Sequence, residues 1–295
     1  MANKPSAEVD VTPALVRRLL AEQHPDLADL PLRTVAAGWD NAILRLGEHL
    51  AVRVPRRAAA AELVRHEQEW LPVLAPVLGV AVPAPVRVGV PSAAFGWAWS
   101  VVPWFDGRPA SALAPVERRS LAAPLADVVA RLHVPAPGTA PANPWRGVPL
   151  AERDAIVRER VAGGLVPQPV RVLALWADLL ATPVWSGPRV WVHGDLHPAN
   201  LLVGSDGTLR ALLDFGDLTA GDPATDLATA WLTFDAPGRR AFRSRVTRLT
   251  GTTPDTWRRA RGWALLIAVA ILANCDDDPT FLTLGTHALT ETLAD

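Results

Sequence analysis

The sequence predicts an α+β chain of two lobes, a strand-rich first lobe and a mainly helical second lobe. Three observations lead there. The chain has 295 residues, enough for two hydrophobic cores. Up to Pro103, short β-branched and aliphatic runs are punctuated by proline and glycine, which is the composition of strands and tight turns. Beyond Pro103, longer segments carry apolar residues at helical spacing. Strands first and helices afterwards is an α+β arrangement, with expected lobes at residues 1–103 and 104–295.

The elements follow in order. Val11 to Gln23 places Val11, Leu15 and Leu19 at helical spacing. A short strand, Thr34 to Ala37, precedes two runs, Ala42 to Leu46 and Leu50 to Val54, split by Gly47-Glu48-His49; this is a hairpin signal. Pro55 closes the second strand because proline cannot continue a ladder. A helix is expected from about Ala58 to Leu71, then strands at Val86 to Val90 and Trp97 to Val102. Val116 to Leu132, Leu150 to Val161 and Val170 to Leu180 read as helices separated by Pro- and Gly-rich loops. Strands return at Val190 to Val203 and Leu209 to Asp214, and Thr225 to Asp295 reads as helical.

Composition narrows the function classes. Hydrophobic residues make up 49% and charged residues 20%, the balance of a folded globular protein rather than a disordered or fibrous one. A formal net charge of -1 lacks the basic excess of a nucleic-acid binder. Cys275 is the only cysteine, so neither an intramolecular disulfide nor a cysteine zinc site is expected. The stretch Gly262 to Asn274 (GWALLIAVAILAN) is too short to span a bilayer, and the N-terminus lacks a signal peptide's apolar core. A cytoplasmic chain without a membrane partner, monomeric or homodimeric, is expected.

The informative stretch is His193-Gly194-Asp195-Leu196-His197-Pro198-Ala199-Asn200, followed fourteen residues later by Asp214-Phe215-Gly216-Asp217. Asp195 and Asn200 flank a proline-containing loop, and Asp214 ends an apolar run just before a glycine turn. Hard oxygen ligands at strand ends suit Mg2+, which binds a few carboxylate or amide oxygens and keeps waters or substrate phosphates. The remaining aspartate is then left to orient a hydroxyl nucleophile. The order H-x-D-x-x-x-x-N, then D-F-G, is the phosphoryl-transfer pattern of the protein-kinase-like fold.

HGDLHPANLLV with LLDFGD and the later Asp222-Pro223-Ala224-Thr225-Asp226-Leu227 resembles the aminoglycoside phosphotransferase family of antibiotic and small-molecule kinases. The resemblance covers nearly the whole chain and is nearest to the macrolide and capuramycin-type branches. It implies a bilobal protein-kinase-like fold and transfer of the γ-phosphate of ATP or GTP to a hydroxyl, with Mg2+. Carried over by motif, Asp195 is the catalytic base or hydroxyl-orienting group, and Asn200 and Asp214 are the magnesium ligands. His193 braces the loop, and Asp226 is a buried aspartate that holds it by hydrogen bonds. His197 and Asp217 remain candidates; packing or capping is expected of His197, to which the template gives no chemical role.

The first lobe departs from the pattern. A kinase-like site needs a cation on the third strand, usually lysine, paired with a carboxyl on the next helix. Lys4, near the N-terminus, is the only lysine. Arg53 stands in the right place, on the strand face opposite Val52 and Val54, and guanidinium clamps phosphate oxygens well. Glu67, before Trp70-Leu71, is its expected partner. The run Arg53-Val54-Pro55-Arg56-Arg57 resembles the arginine-bearing strand of the macrolide phosphotransferase branch. Gly38-Trp39-Asp40-Asn41 falls where a nucleotide-covering loop belongs, so Gly38, Asp40 and Asn41 are nucleotide candidates. Val102 and Trp104 flank Pro103 at the interlobe linker; proline removes one backbone donor there, so a neighbour must read the base.

Charge bears on the acceptor. Trp104 to Val190 and Asp235 to Asp295 together hold eighteen arginines against fourteen acids, and like charge disfavours a polycationic ligand. Among the twelve tryptophans, Trp104, Trp145, Trp176, Trp185, Trp231 and Trp263 are the candidates for an acceptor pocket, since aromatic faces cover sugars and macrocycles. A macrolide or sugar-bearing nucleoside antibiotic is therefore expected rather than an aminoglycoside. The alternatives are a metabolic kinase of the same fold, for a sugar, choline or amino alcohol, and a nucleotide-binding pseudokinase.

Overall fold

The computed structural model describes residues 6–37, 40–275 and 278–295, without the side chains of 36 and 37. The chain divides into two compact units. One runs to Asp106 and takes in Leu212–Gly216; the other comprises Gly107–Ala211 and Asp217–Asp295.

The strand-rich unit opens with α1, Pro13–Gln23, whose N-cap Thr12 accepts from the Leu15 N–H. Its buried Val16, Leu19 and Leu20 join Leu44, Leu46, Val52, Val54, Trp99 and Val101 in one core. The sheet consists of β1 (Leu32–Ala37), β2 (Asn41–Leu46), β3 (Leu50–Pro55), β4 (Arg87–Gly89) and β5 (Trp99–Pro103), in the order β1-β2-β3-β5-β4. The expected β2–β3 hairpin is present, with Ile43 opposite Arg53, and Gly47 adopts the left-handed backbone its turn requires.

Helix α2, Ala58–Leu78, extends past the expected end at Leu71 and contains Pro72 and Pro76. An interior proline costs about 3 kcal/mol. Here Leu74 and Leu78 are buried beyond Pro72, and each buried leucine returns about 1.5–3 kcal/mol, so the stripe carries the helix to its left-handed cap at Gly79. The full stripe is Ala60, Val64, Glu67, Leu71, Leu74 and Leu78. Glu67 is thus a carboxyl group forced onto the apolar face.

The helical unit holds a short β6 (Arg108–Pro109), then α3 (Ala122–Leu132), α4 (Asp154–Ala162) and α5 (Pro169–Leu180). The first two helices are shorter than the apolar spacing suggests, because Glu117–Leu121 and Leu150–Arg153 wind as 3-10 turns. β7 (Val190–Val192) pairs antiparallel with β10 (Thr219–Gly221), while β8 (Leu201–Val203) and β9 (Leu209–Leu212) form a three-stranded sheet with β6. The remainder is α6 (Ala224–Leu227), α7 (Thr229–Thr233), α8 (Ala236–Thr250), α9 (Pro254–Asn274) and α10 (Pro279–Ala294). The apolar stretch at Gly262 to Asn274 lies in α9, with Trp263, Leu265 and Leu272 buried. Among the described residues no helix is long and apolar enough to cross a membrane.

Candidate active site

β7 delivers the chain to His193, and the loop after it is fixed from behind. Asp226, on α6 and fully buried, accepts from the backbone N–H groups of His193 (2.8 Å) and Gly194 (2.9 Å), and from His133 Nε2 (3.1 Å). Gly194 has φ +89°, and a Cβ there would meet the Asp217 carbonyl oxygen at 2.4 Å, so only glycine fits. The Asp195 N–H donates to His193 Nδ1 at 3.2 Å. These bonds hold the backbone on both sides of Asp195.

The Asp195 carboxyl is held in turn. Its Oδ2 accepts from Asn200 Nδ2 at 3.1 Å and lies 3.2 Å from His197 Nε2. Arg146 Nη2 lies 3.7 Å from Oδ1. His197 Nδ1 accepts from the Ala199 N–H and caps the turn Pro198–Asn200, which leaves the ring proton on Nε2, facing Asp195. Burial alone would push the Asp195 carboxyl up, but His197, by charge and hydrogen bond, with Arg146 and His193, holds it well below the usual carboxylate range. The side chain keeps 29% exposure, so an ionised oxygen can meet an incoming hydroxyl. Asn200 Nδ2 also donates to the Asp195 carbonyl at 2.9 Å. Both its amide protons are thereby used, leaving Oδ1 as the remaining hydrogen-bonding atom of the side chain.

Packing or capping was expected of His197; it caps the turn and also meets Asp195. Asp217, without a role in the sequence, accepts from Asn143 Nδ2 at 2.8 Å and pairs with Arg146 at 3.1 Å. Sequence reasoning missed Asn143, Arg146 and His133. The first two sit in a Pro-rich loop that shows no pattern, and the Arg-Gly pair at Arg146-Gly147 is the one local signal.

The strand-rich unit holds a second cluster. Arg53 and Glu67 meet at 3.2 Å with their side chains 7% and 5% exposed, and Arg53 Nη2 reaches Asp214 Oδ1 at 3.4 Å. One cation thus serves two carboxyl groups. Burial, reinforced by the charge of Asp214, outweighs Arg53 and the Phe215 backbone bond and raises the Glu67 carboxyl to about 7. Burial would lower the Arg53 pKa, but the charges of Glu67 and Asp214 raise it instead. Asp214 is 57% exposed and has φ +59°, a conformation that costs a non-glycine residue energy and tends to mark functional sites.

The other nucleotide candidates are placed less uniformly. Asp40 pairs with Arg57. Asn41 Oδ1, Arg53 Nε and Arg57 Nε are buried and have no hydrogen-bond partner among the described residues. Val102 lies in β5 opposite Ala51. The Trp104 N–H, one of the neighbouring groups that could replace the donor lost at Pro103, is committed to the His49 carbonyl at 2.7 Å; β3 and β5 run on into that bond. Gly38 lies outside the described residues. Of the tryptophans, Trp176, Trp231 and Trp263 are fully buried and belong to the core rather than to a pocket. Arg45 covers Trp104, and Arg153 covers the exposed Trp145.

Trp185 lines a cavity of about 480 Å3 within the helical unit, with Asn143, Arg146, Arg189 and Asp222. Asp222 is engaged by Arg259 at 2.6 Å and Arg146 by Asp217 at 3.1 Å, so among the described residues Arg189, bonded to the Ala220 carbonyl, is the charged lining group without a carboxylate partner.

Residues 31–263 match the family model of the phosphotransferase enzyme family. The chain is similar in structure to the GDP complex of wild-type aminoglycoside 2'-phosphotransferase-IIIa, with TM-score 0.67 and 19% identity over 96% of this chain and 99% of that one. It is similar to macrolide 2'-phosphotransferase MphH from Brachybacterium faecium, with TM-score 0.60 and 24% identity over 94% and 97% of the two chains. It also resembles macrolide 2'-phosphotransferase type I, with TM-score 0.58 and 19% identity over 97% and 99%. At these identities the likeness is one of fold. No curated protein sequence matches the chain.

Proposed function

The chain belongs to the phosphotransferase enzyme family, and on that premise we propose that it moves the γ-phosphate of ATP or GTP to a hydroxyl of a sugar-bearing antibiotic. A macrolide or nucleoside antibiotic is favoured over an aminoglycoside. The observation that carries the reaction is Asp195: a half-buried carboxyl on a loop clamped by Asp226, kept ionised by His197 and Arg146. Asp195 accepts a hydrogen bond from the acceptor hydroxyl and orients its oxygen for in-line attack. Arg53, backed by Glu67, supplies the cation for nucleotide phosphates, and its orphaned Nε is a donor in want of an oxygen.

By the chemistry of their side chains, Asn200 and Asp214 are the proposed oxygen donors for Mg2+. No group of three or more His, Cys, Asp or Glu side chains is placed to hold a metal among the described residues. Asn200 and Asp214 each offer a hard oxygen, and Mg2+ takes one or two such ligands together with substrate phosphates. When bound, it neutralises charge that develops on the phosphoryl oxygens. Asp214→Asn and Asn200→Ala are expected to shift the midpoint of a Mg2+ titration, at fixed nucleotide, to higher concentration. Unchanged midpoints in both variants would refute the assignment.

The acceptor preference rests on charge. In the helical unit, Asp127, Asp154, Asp178 and Asp235 are paired with Arg245, Arg158, Arg258 and Arg119. Asp278 is occupied as the cap of α10. The cavity at Trp185 has the size of a small-molecule site, roughly 300–1,000 Å3, and the excess positive charge of its lining, at Arg189, disfavours ammonium groups. Incubation with nucleotide and a panel of antibiotics, followed by mass spectrometry, is expected to show one added phosphoryl group on a macrolide or nucleoside antibiotic and none on kanamycin. Phosphorylated kanamycin with untouched neutral antibiotics would overturn the charge argument and leave the phosphotransferase standing.

A further inference from the structure

Arg146 is the third group on the Asp195 carboxyl, and it comes from a loop that carries no motif. That loop is built for position. Ala220 N–H donates to the Pro141 carbonyl, Gly147 N–H to Thr225 Oγ1 at 3.1 Å, and Asp222 N–H to the Gly147 carbonyl at 3.0 Å. Gly147 has φ +69°, and its Cα packs on Gly221, where a Cβ would approach to 3.1 Å. The backbone beside Arg146 is therefore locked to β10 and α6, the elements that also hold His193 and Gly194.

The guanidinium spends its donors unequally. Nε donates to the Gly194 carbonyl at 2.6 Å; Nη2 lies 3.1 Å from Asp217 Oδ2 and 3.7 Å from Asp195 Oδ1. Asn143 Nδ2 holds Asp217 from its other oxygen at 2.8 Å. Asp217 thus draws the cation toward itself. Arg146 stays near enough to bias Asp195 by charge, and too far to close a hydrogen bond that would take the oxygen an acceptor hydroxyl needs. The side chain is 22% exposed, so this charge is only partly screened.

We propose that Arg146, tethered by Asp217 and Asn143, is a positioning residue that sets the orientation of the Asp195 carboxyl for phosphoryl transfer. The proposal rests on the reading of Asp195 as the group that orients the acceptor hydroxyl. A misplacement of about 1 Å costs up to roughly 100-fold in rate, which sets the expected effect. Asp217→Asn acts on the same geometry from the other side, because it releases Arg146 to close on Asp195.

The full chain is tested as Arg146→Gln, Arg146→Lys, Asp217→Asn and the Arg146→Gln/Asp217→Asn pair, with Asp195→Ala as reference. Nucleotide turnover is measured with water alone and with erythromycin as acceptor probe. Arg146→Gln is expected to lower kcat about 10- to 100-fold with nucleotide KM within about twofold, and Arg146→Lys to recover part of the loss because it keeps the charge without the fork. The double variant is expected to lose less than the product of the singles, since both act through one contact set. If Asp195→Ala loses turnover while Arg146→Gln and Arg146→Lys both turn over at the wild-type rate, the proposal fails alone. If Asp195→Ala retains wild-type turnover, the reading beneath it fails as well. A crystal structure of Arg146→Gln, or of Arg146→Lys if the former does not fold, gives an answer without activity. Asp195 displaced, with the Asp226 bonds intact, supports the proposal; an unmoved Asp195 overturns it.

Discussion

Asp195→Ala is expected to lower phosphoryl transfer roughly 10²–10⁴-fold, the usual contribution of a positioned acid–base group, while nucleotide affinity stays close to wild type. The structure explains why the loss should be confined to turnover. The loop backbone is held by Asp226 through His193 and Gly194, not by the Asp195 side chain. Arg146 keeps Gly194 and Asp217, and His197 keeps its cap on Ala199. The Arg53–Glu67–Asp214 cluster does not include Asp195. Asp195→Asn is the stricter form. The amide preserves shape but cannot accept on both oxygens from Asn200, His197 and a hydroxyl at once. Steady-state turnover and nucleotide binding by titration calorimetry decide it. A variant with wild-type turnover removes Asp195 from the chemistry, and one with greatly weakened nucleotide binding moves it to the phosphate site.

The sequence displayed the residues that sit at strand ends and hid those that sit in loops. Asp195, Asn200 and Asp214 stand beside apolar runs, and the spacing between them constrains the chain tightly enough to read. Glu67 was legible as a carboxyl before Trp70-Leu71. Its place on a stripe with Ala60, Val64 and Leu71 lies within the helix expected from the sequence; the continuation of α2 through Pro72 and Pro76, where Leu74 and Leu78 are buried, was not legible. β6 and β10, two and three residues long, are too short for periodicity and are defined by their pairing with β8 and β7. Arg146 and Asn143 are invisible for a related reason. What places them is a set of long-range backbone bonds to β10 and α6, and no local pattern encodes such bonds. Three tryptophans suited to a pocket by chemistry went to the core, as large apolar side chains do when volume must be filled.

Asp226→Ala is expected to destabilise the helical unit by roughly 3–5 kcal/mol, the range for stripping one partner from a buried polar network, and to abolish turnover in whatever fraction folds. Asp226 is fully buried and accepts from three donors, the N–H groups of His193 and Gly194 and His133 Nε2. Alanine leaves all three without an acceptor in a site that water does not reach, at about 1–3 kcal/mol for each buried donor left unmet. The backbone effect matters more for function. Gly194 holds a left-handed φ that no side chain relieves, and its N–H bond to Asp226 maintains that turn. With the bond gone, His193 and Gly194 lose their reference to α6, and the carboxyl of Asp195 loses its position. Asp226→Asn separates the two effects. It keeps the volume and one acceptor oxygen, so it should recover much of the stability. Its amide donor must face a backbone N–H or His133, so turnover should recover far less. Urea unfolding, read beside turnover for the two variants, tests this. Asp226→Asn that is as active as wild type would show the loop to be held by packing alone.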